Sequence, residues 1–161
     1  VINGVSKTYA MTGWRVGFAV GDPEIISGMA KIISQTTSNL TAVSQYAAIE
    51  ALTGDQSSIE EMRQAFEERL NTIYPLLAEV PGFEVIKPQG AFYLFPNVKK
   101  AMEIKGYTDV NDFTNAILEE AEVALVTGAG FGAPENIRFS YATDLDTLKE
   151  AVRRIKAFME K

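Results

Sequence analysis

The sequence contains no cysteine and no histidine. Without cysteine there is no disulfide framework and no thiolate chemistry, which suits a reducing, cytoplasmic setting. Without histidine, Ser-His-Asp and Cys-His catalysis cannot be assembled. The usual zinc and iron sites also lose their commonest ligand, so no metal is expected. General acid–base work falls to Lys, Tyr, Asp or Glu. Positive charge is also in deficit: 15 basic against 21 acidic residues give a net −6, and the basic residues are scattered. That distribution offers no footprint for a nucleic-acid partner. No apolar run approaches the roughly 20 residues a bilayer span requires, so no membrane partner is expected. The start, Val1-Ile2-Asn3-Gly4, is not Met, not basic and not followed by an apolar stretch. It does not resemble a signal peptide, and the chain is expected to begin inside a longer protein.

What is present is ordinary for a globular protein: 161 residues, 47% hydrophobic and 22% charged, enough to bury a core without staples. Residues 13–20 read as a strand of glycine, aromatic and β-branched types. Asp22-Pro23 is a cap followed by proline at the first helical position, predicting a helix towards Ser34. A second helix is predicted over Ala42–Leu52, with Tyr46, Ile49 and Leu52 on its apolar side and Gly54 past its end. Ser58 and Glu61 read as a capping box for a long helix carrying Ile59, Met62, Phe66, Leu70, Ile73 and Leu77, with Pro75 ending or kinking it.

After Pro81-Gly82 the period changes. Strands are predicted at 83–86, 91–95, 123–126 and 137–141, and helices behind Asp109 and Asp144. That is an α/β unit with helices on one face of a small sheet. Residues 1–55 offer one strand and two helices, with no sheet for those helices to cover.

Two clusters carry chemistry. In Ser6-Lys7-Thr8-Tyr9-Ala10-Met11-Thr12-Gly13-Trp14-Arg15-Val16-Gly17, Lys7 precedes Arg15 by eight residues. Extended, such a stretch spans roughly 27 Å, but Gly13 would let the chain turn back and bring both cations to one pocket. Two close cations require an anion between them, or loss of one charge. By residue type alone, a solvated lysine and a surface arginine remain the ordinary reading. In Asn136-Ile137-Arg138-Phe139-Ser140-Tyr141-Ala142, Arg138 stands between apolar neighbours in a strand, an expensive place for a permanent charge. It calls for a carboxylate or phosphate, and the ordinary source would be an internal Asp or Glu.

The string SKTYAMTGWRVG resembles the cofactor-lysine motif of the class I and II aminotransferases, the fold-type I pyridoxal-phosphate enzymes, most nearly their bacterial aspartate aminotransferase branch. IRFSYA is similar to the same family's C-terminal segment. The resemblance covers essentially the whole chain. It implies an α/β fold: the C-terminal part of the fold-type I architecture, with residues 1–55 as the end of the large cofactor-binding domain and 56–161 as the small domain with a mostly antiparallel sheet.

It also implies roles. Lys7 would join the aldehyde of pyridoxal 5′-phosphate as an imine and shuttle the substrate proton. Arg15 would bind the cofactor phosphate with Ser6 beside it, and Arg138 would grip the α-carboxylate of the substrate. A neutral amine is what attacks a carbonyl, and a neighbouring cation favours that form. Asn39, in Thr36-Thr37-Ser38-Asn39, resembles a segment reaching a neighbouring subunit's cofactor site; a helix-ending asparagine is the alternative.

The implied activity is transamination between an amino acid (aspartate or an aromatic one) and a 2-oxo acid, by a full-length homodimer. This stretch alone is expected to be inactive, because the ring-contacting residues of the family lie upstream. A lyase of the same fold, or an aminotransferase-like effector domain of a regulator, are the competing functions. Gly128-Ala129-Gly130-Phe131-Gly132-Ala133 satisfies G-x-G-x-x-A after a strand. Pro134 and a strand follow it where a dinucleotide fingerprint needs a helix, so it reads as a loop. Gly90-Ala91-Phe92-Tyr93 resembles a small-domain strand of the family and is given no role.

Overall fold

The computed structural model describes residues 1–161 and divides into two compact units, Val1–Arg63 and Gln64–Lys161. In the first, strand β1 (Ile2–Gly4) pairs antiparallel with β2 (Gly17–Ala19), in the register Ile2↔Ala19, Asn3↔Phe18, Gly4↔Gly17. Helix α1 (Pro23–Thr36) starts where expected. Asp22 accepts from the Glu24 amide at 2.9 Å, and proline occupies the first turn. Helix α2 (Ala42–Thr53) is capped by Thr41, whose hydroxyl accepts from the Ser44 amide.

The buried side of α2 is not the expected one. Ser44 and Ala48 are covered, while Tyr46 is 75% exposed and Ile49 and Leu52 face outward too. α1 buries nothing. The periodicity marks an apolar face on each helix, but most of it stays exposed: on α1 only Ile26 is partly buried, beside the β1–β2 ladder.

Helix α3 (Ser57–Ala78) crosses the division between the units. Its start is set by Asp55 rather than by the expected Ser58–Glu61 box. The Asp55 carboxylate accepts from the Ser57 amide at 3.1 Å and from the Ser57 hydroxyl, which holds the acid below its usual range. A charged acceptor two residues ahead of the first turn leaves Ser58 inside the helix. Pro75 lies in the last turn of α3, which ends at Ala78, as expected.

The second unit is a three-stranded antiparallel sheet in the order β3 (Tyr93–Leu94), β5 (Ile137–Ser140), β4 (Val126–Thr127). It packs with α4 (Lys99–Lys105), α5 (Val110–Ala121) and α6 (Leu145–Glu160). The α/β character with antiparallel pairing is as expected, but the strands are shorter. Residues 83–86 alternate buried and outward positions yet reach the sheet only through one bridge, Glu84↔Asn97.

Helix α4 was not anticipated. Its seven residues are good helix formers, but Val98 supplies no side-chain cap, so the start signal is missing. Asp109 and Asp144 cap α5 and α6 as expected. Leu148, Val152, Ile155 and Phe158 point inward on α6, as do Phe113 and Ile117 on α5, whereas Leu118 faces out. No helix is long and apolar enough to cross a membrane.

Candidate functional site

The β1–β2 ladder brings the two cations of the lysine motif to one end of a hairpin. With Gly4 opposite Gly17, Val5 donates its amide to the Val16 carbonyl at 3.3 Å and closes the loop between them. Ser6 and Lys7 leave one strand as Arg15 enters the other. The loop is built from turns: the Tyr9 amide donates to the Val5 carbonyl, the Ala10 amide to that of Lys7, and residues 12–14 form a single 3₁₀ turn.

The expected strand over 13–20 therefore begins only at Gly17. Gly13 does not make the reversal either. The left-handed backbone lies at Ala10 (φ 52°) and Arg15 (φ 55°), where non-glycine residues are uncommon. Val5 and Val16 anchor the loop by burying themselves on Ala48 of α2, with Tyr9, Met11 and Leu40 around them. A side chain at Gly4 would meet the Val16 carbonyl at 2.7 Å, so the close approach of the two strands needs glycine there.

Ser6, Lys7 and Arg15 all line one open cavity of about 390 Å³. Its wall also carries the Thr8 hydroxyl and the Asn3 amide, and no carboxylate. Arg15 donates one N–H to the Thr12 carbonyl at 3.0 Å, which ties the guanidinium to its own loop and leaves further donors for an anion. Two cations, two hydroxyls and no acid make a cavity suited to a phosphate-bearing ligand.

Arg138 belongs to the second unit, on β5. The strand alternates: Ile137 and Phe139 enter the core, and Arg138 and Ser140 face the other side of the sheet. Apolar neighbours in sequence therefore do not bury the charge, contrary to expectation, because successive strand residues point to opposite faces. Nor does an internal Asp or Glu hold it. The guanidinium carbon lies 4.5 Å from the Tyr93 ring centroid and 4.9 Å from that of Phe131. Neither aromatic was singled out from the sequence. The signal available was a strand arginine with an aromatic diagonally across the sheet, since Tyr93 pairs with Ser140, two residues from Arg138.

Asn39 is exposed after α1, its amide side chain donating to the Leu40 carbonyl. Ser38, not Asn39, takes the left-handed position that ends the helix (φ 62°). The glycine-rich stretch is a loop before a strand, as read from the sequence. A side chain at Gly128 would meet the carbonyls of Ala133 and Asn136, and no helix follows.

The model of the family "Aminotransferase class I and II" matches residues 1–155. An asparagine–oxo-acid transaminase of Streptococcus mutans serotype c is 79% identical over 161 residues, covering 100% of this chain and 41% of that protein. An aspartate aminotransferase of Bacillus subtilis is 57% identical over the same span and share. Among solved structures, an aspartate aminotransferase from Rhizobium meliloti superposes with a TM-score of 0.90 at 38% identity, covering 99% of this chain and 41% of that one. The chain thus spans about two-fifths of the length of the relatives it matches. A hairpin that gathers Ser6, Lys7 and Arg15, a matching fold and a family match over 155 residues agree: the chain belongs to the class I and II aminotransferases.

Proposed function

We propose that the protein carrying this chain is a pyridoxal 5′-phosphate-dependent aminotransferase that exchanges the amino group of an amino acid with a 2-oxo acid. The observation that carries this reading is the cavity that Ser6, Lys7 and Arg15 share with no carboxylate in its wall. Those residues fit the cofactor: Lys7 Nζ for the aldehyde carbon, Arg15 and the Ser6 hydroxyl for the phosphate. When bound, the pyridine ring supplies an electron sink for the substrate Cα.

The chain's residues supply the rest. Lys7 Nζ moves the proton taken from the substrate Cα, and Arg15 neutralises the phosphate and fixes the cofactor against the lysine. Arg138 takes the α-carboxylate, a role its aromatic surroundings permit because no acid of the chain occupies its N–H donors.

Residues 1–55 are read as the end of a large cofactor domain and 56–161 as the small domain. The functional protein is read as a cytoplasmic homodimer in which Asn39 reaches towards the partner subunit's cofactor. The relatives' names favour an aspartate or asparagine donor over an aromatic one. The test is to load the full-length protein with pyridoxal phosphate, reduce it with borohydride and map the modified peptide. The pyridoxyl label is expected on Lys7; label on any other lysine overturns the assignment.

A further inference from the structure

We infer that Tyr93 and Phe131 are positioning residues for Arg138, holding its guanidinium between aromatic surfaces so that its N–H donors are kept for a ligand carboxylate. The inference rests on the reading of Arg138 as the carboxylate-binding residue. It explains how a half-buried cation is stabilised by the chain without being neutralised by it.

The sheet dictates the problem. Strand alternation sends Arg138 to the face opposite the core, beside Val126 of β4, with which it is paired. A partly desolvated guanidinium normally recruits an Asp or Glu, and such a partner would compete with any incoming carboxylate. Here the contacts are ring faces, at 4.5 Å (Tyr93) and 4.9 Å (Phe131). The ring quadrupole attracts the cation and uses none of its five N–H groups.

The rings themselves are held. Tyr93 packs on Phe92, centroids 4.6 Å apart, in a segment whose entry is fixed by Ala91 in a left-handed conformation (φ 60°). The Tyr141 hydroxyl donates to the Ala91 carbonyl at 2.9 Å and pins that entry to the end of β5. Phe131 sits in a tight turn in which its amide donates to the Gly128 carbonyl at 2.9 Å, and its ring meets Phe95 edge-on at 6.2 Å. Phe95 and Tyr141 therefore support the two rings, and the rings set the arginine before any ligand arrives. Donors fixed in advance bind without the cost of ordering them.

The experiment uses the full-length, cofactor-loaded protein. Succinate, a dicarboxylate that cannot transaminate, is titrated against the cofactor absorbance, and KM and kcat are measured for the amino acid. Tyr93→Leu and Phe131→Leu are each expected to weaken succinate binding and raise KM by about 3- to 10-fold. kcat at saturation should change by less than about 2-fold, and the affinity for pyridoxal phosphate should not change. Tyr93→Phe, which keeps the ring face, is expected to restore the binding that Tyr93→Leu loses.

Phe131 is 55% exposed, so its replacement does not open the core, and Phe131→Leu decides the matter if Tyr93→Leu fails to fold. Wild-type succinate affinity in Phe131→Leu, alongside weakened binding in Arg138→Lys, overturns the positioning role and leaves the carboxylate role standing. Wild-type affinity in Arg138→Lys removes the carboxylate role and this inference with it.

Discussion

Residues 64–161 gather 22 buried side chains into one cluster around Phe113, Ile117, Ile137, Ile155 and Phe158; residues 1–63 gather three, Val5, Val16 and Ala48. The difference is not one of apolar content. The first unit exposes Ile25, Ile32, Val43, Tyr46 and Ile49 on helices that are properly capped and regular. Local signals thus suffice to place a helix, but an apolar stripe states only which face is to be covered, not that a cover exists within the same stretch. The candidate residues of each unit inherit this contrast. Arg138 is mounted on a strand with the large core behind it, whereas the Lys7–Arg15 loop is held by three buried residues and one backbone ladder.

The largest effect should separate the two units directly. Phe113 is completely buried among α5 and α6 residues, and its ring meets Tyr107 and Phe158. Phe113→Ala should destabilise the unfolding transition of residues 64–161 by about 3–5 kcal/mol through lost burial and the cavity left behind. Ile32, 67% exposed on α1, is equally apolar, yet Ile32→Ala should change stability by less than about 0.5 kcal/mol. Urea denaturation of the 161-residue chain and these two variants of it checks this. A loss of several kcal/mol from Ile32→Ala would erase the distinction drawn between the units.

A smaller effect sharpens the same contrast at the lysine loop. A Cβ at Gly4 would stand 2.7 Å from the Val16 carbonyl and 3.3 Å from the Gly17 Cα, both backbone atoms that cannot swing aside. Gly4→Ala must part the ladder that sets Lys7 against Arg15, at a cost of about 1–3 kcal/mol. Gly13, with nothing within 4 Å of its added Cβ, should tolerate alanine. Borohydride trapping of pyridoxal phosphate in the full-length protein is the readout. Gly4→Ala should lower the yield at Lys7 and Gly13→Ala should not. Equal yields would mean that the hairpin register does not position the lysine.

These outcomes bear on how far the sequence could be read. The caps at Asp22, Asp109 and Asp144 and the inward stripe of α6 were legible because each is a local pattern with one physical meaning. The grouping of Ser6, Lys7 and Arg15 was legible only through the resemblance. Its physical cause is the pairing of Gly17–Ala19, inside the strand expected over 13–20, with Ile2–Gly4, a three-residue segment not read as a strand. The reversal was assigned to Gly13, whereas Ala10 and Arg15 adopt the left-handed backbone, which propensity alone assigns to glycine. The aromatic setting of Arg138 escaped for the related reason that it joins a strand, its neighbour and a loop, and no period along the chain registers such a meeting.

The smallest effect concerns charge and again compares the units. Asp55, exposed, and Glu150, partly exposed, are acids held below their usual range, Asp55 by hydrogen bonds from Ser57, Glu150 by Arg153 at 2.7 Å and Arg154 at 2.8 Å. For Glu150 the pKa falls from 4.5 to about 2. Between those values the unfolded chain binds the proton and the folded one does not, so stability must rise with pH across the window. The contribution is present in full above 4.5 and is lost as pH falls through about 2. Glu150 lies in the unit that owns the large core, so its proton is coupled directly to the main cooperative transition, whereas Asp55 caps the end of α3 that lies in the first unit. Glu150→Gln should therefore flatten the acid side of the Tm-against-pH curve, and Asp55→Asn should leave that slope nearly as it was. Solvent exposure and salt keep the change small, and raising the ionic strength should shrink it further. An Asp55→Asn slope as flat as that of Glu150→Gln would mean that the two units unfold as one, and the contrast between a cored and an uncored half would not survive it.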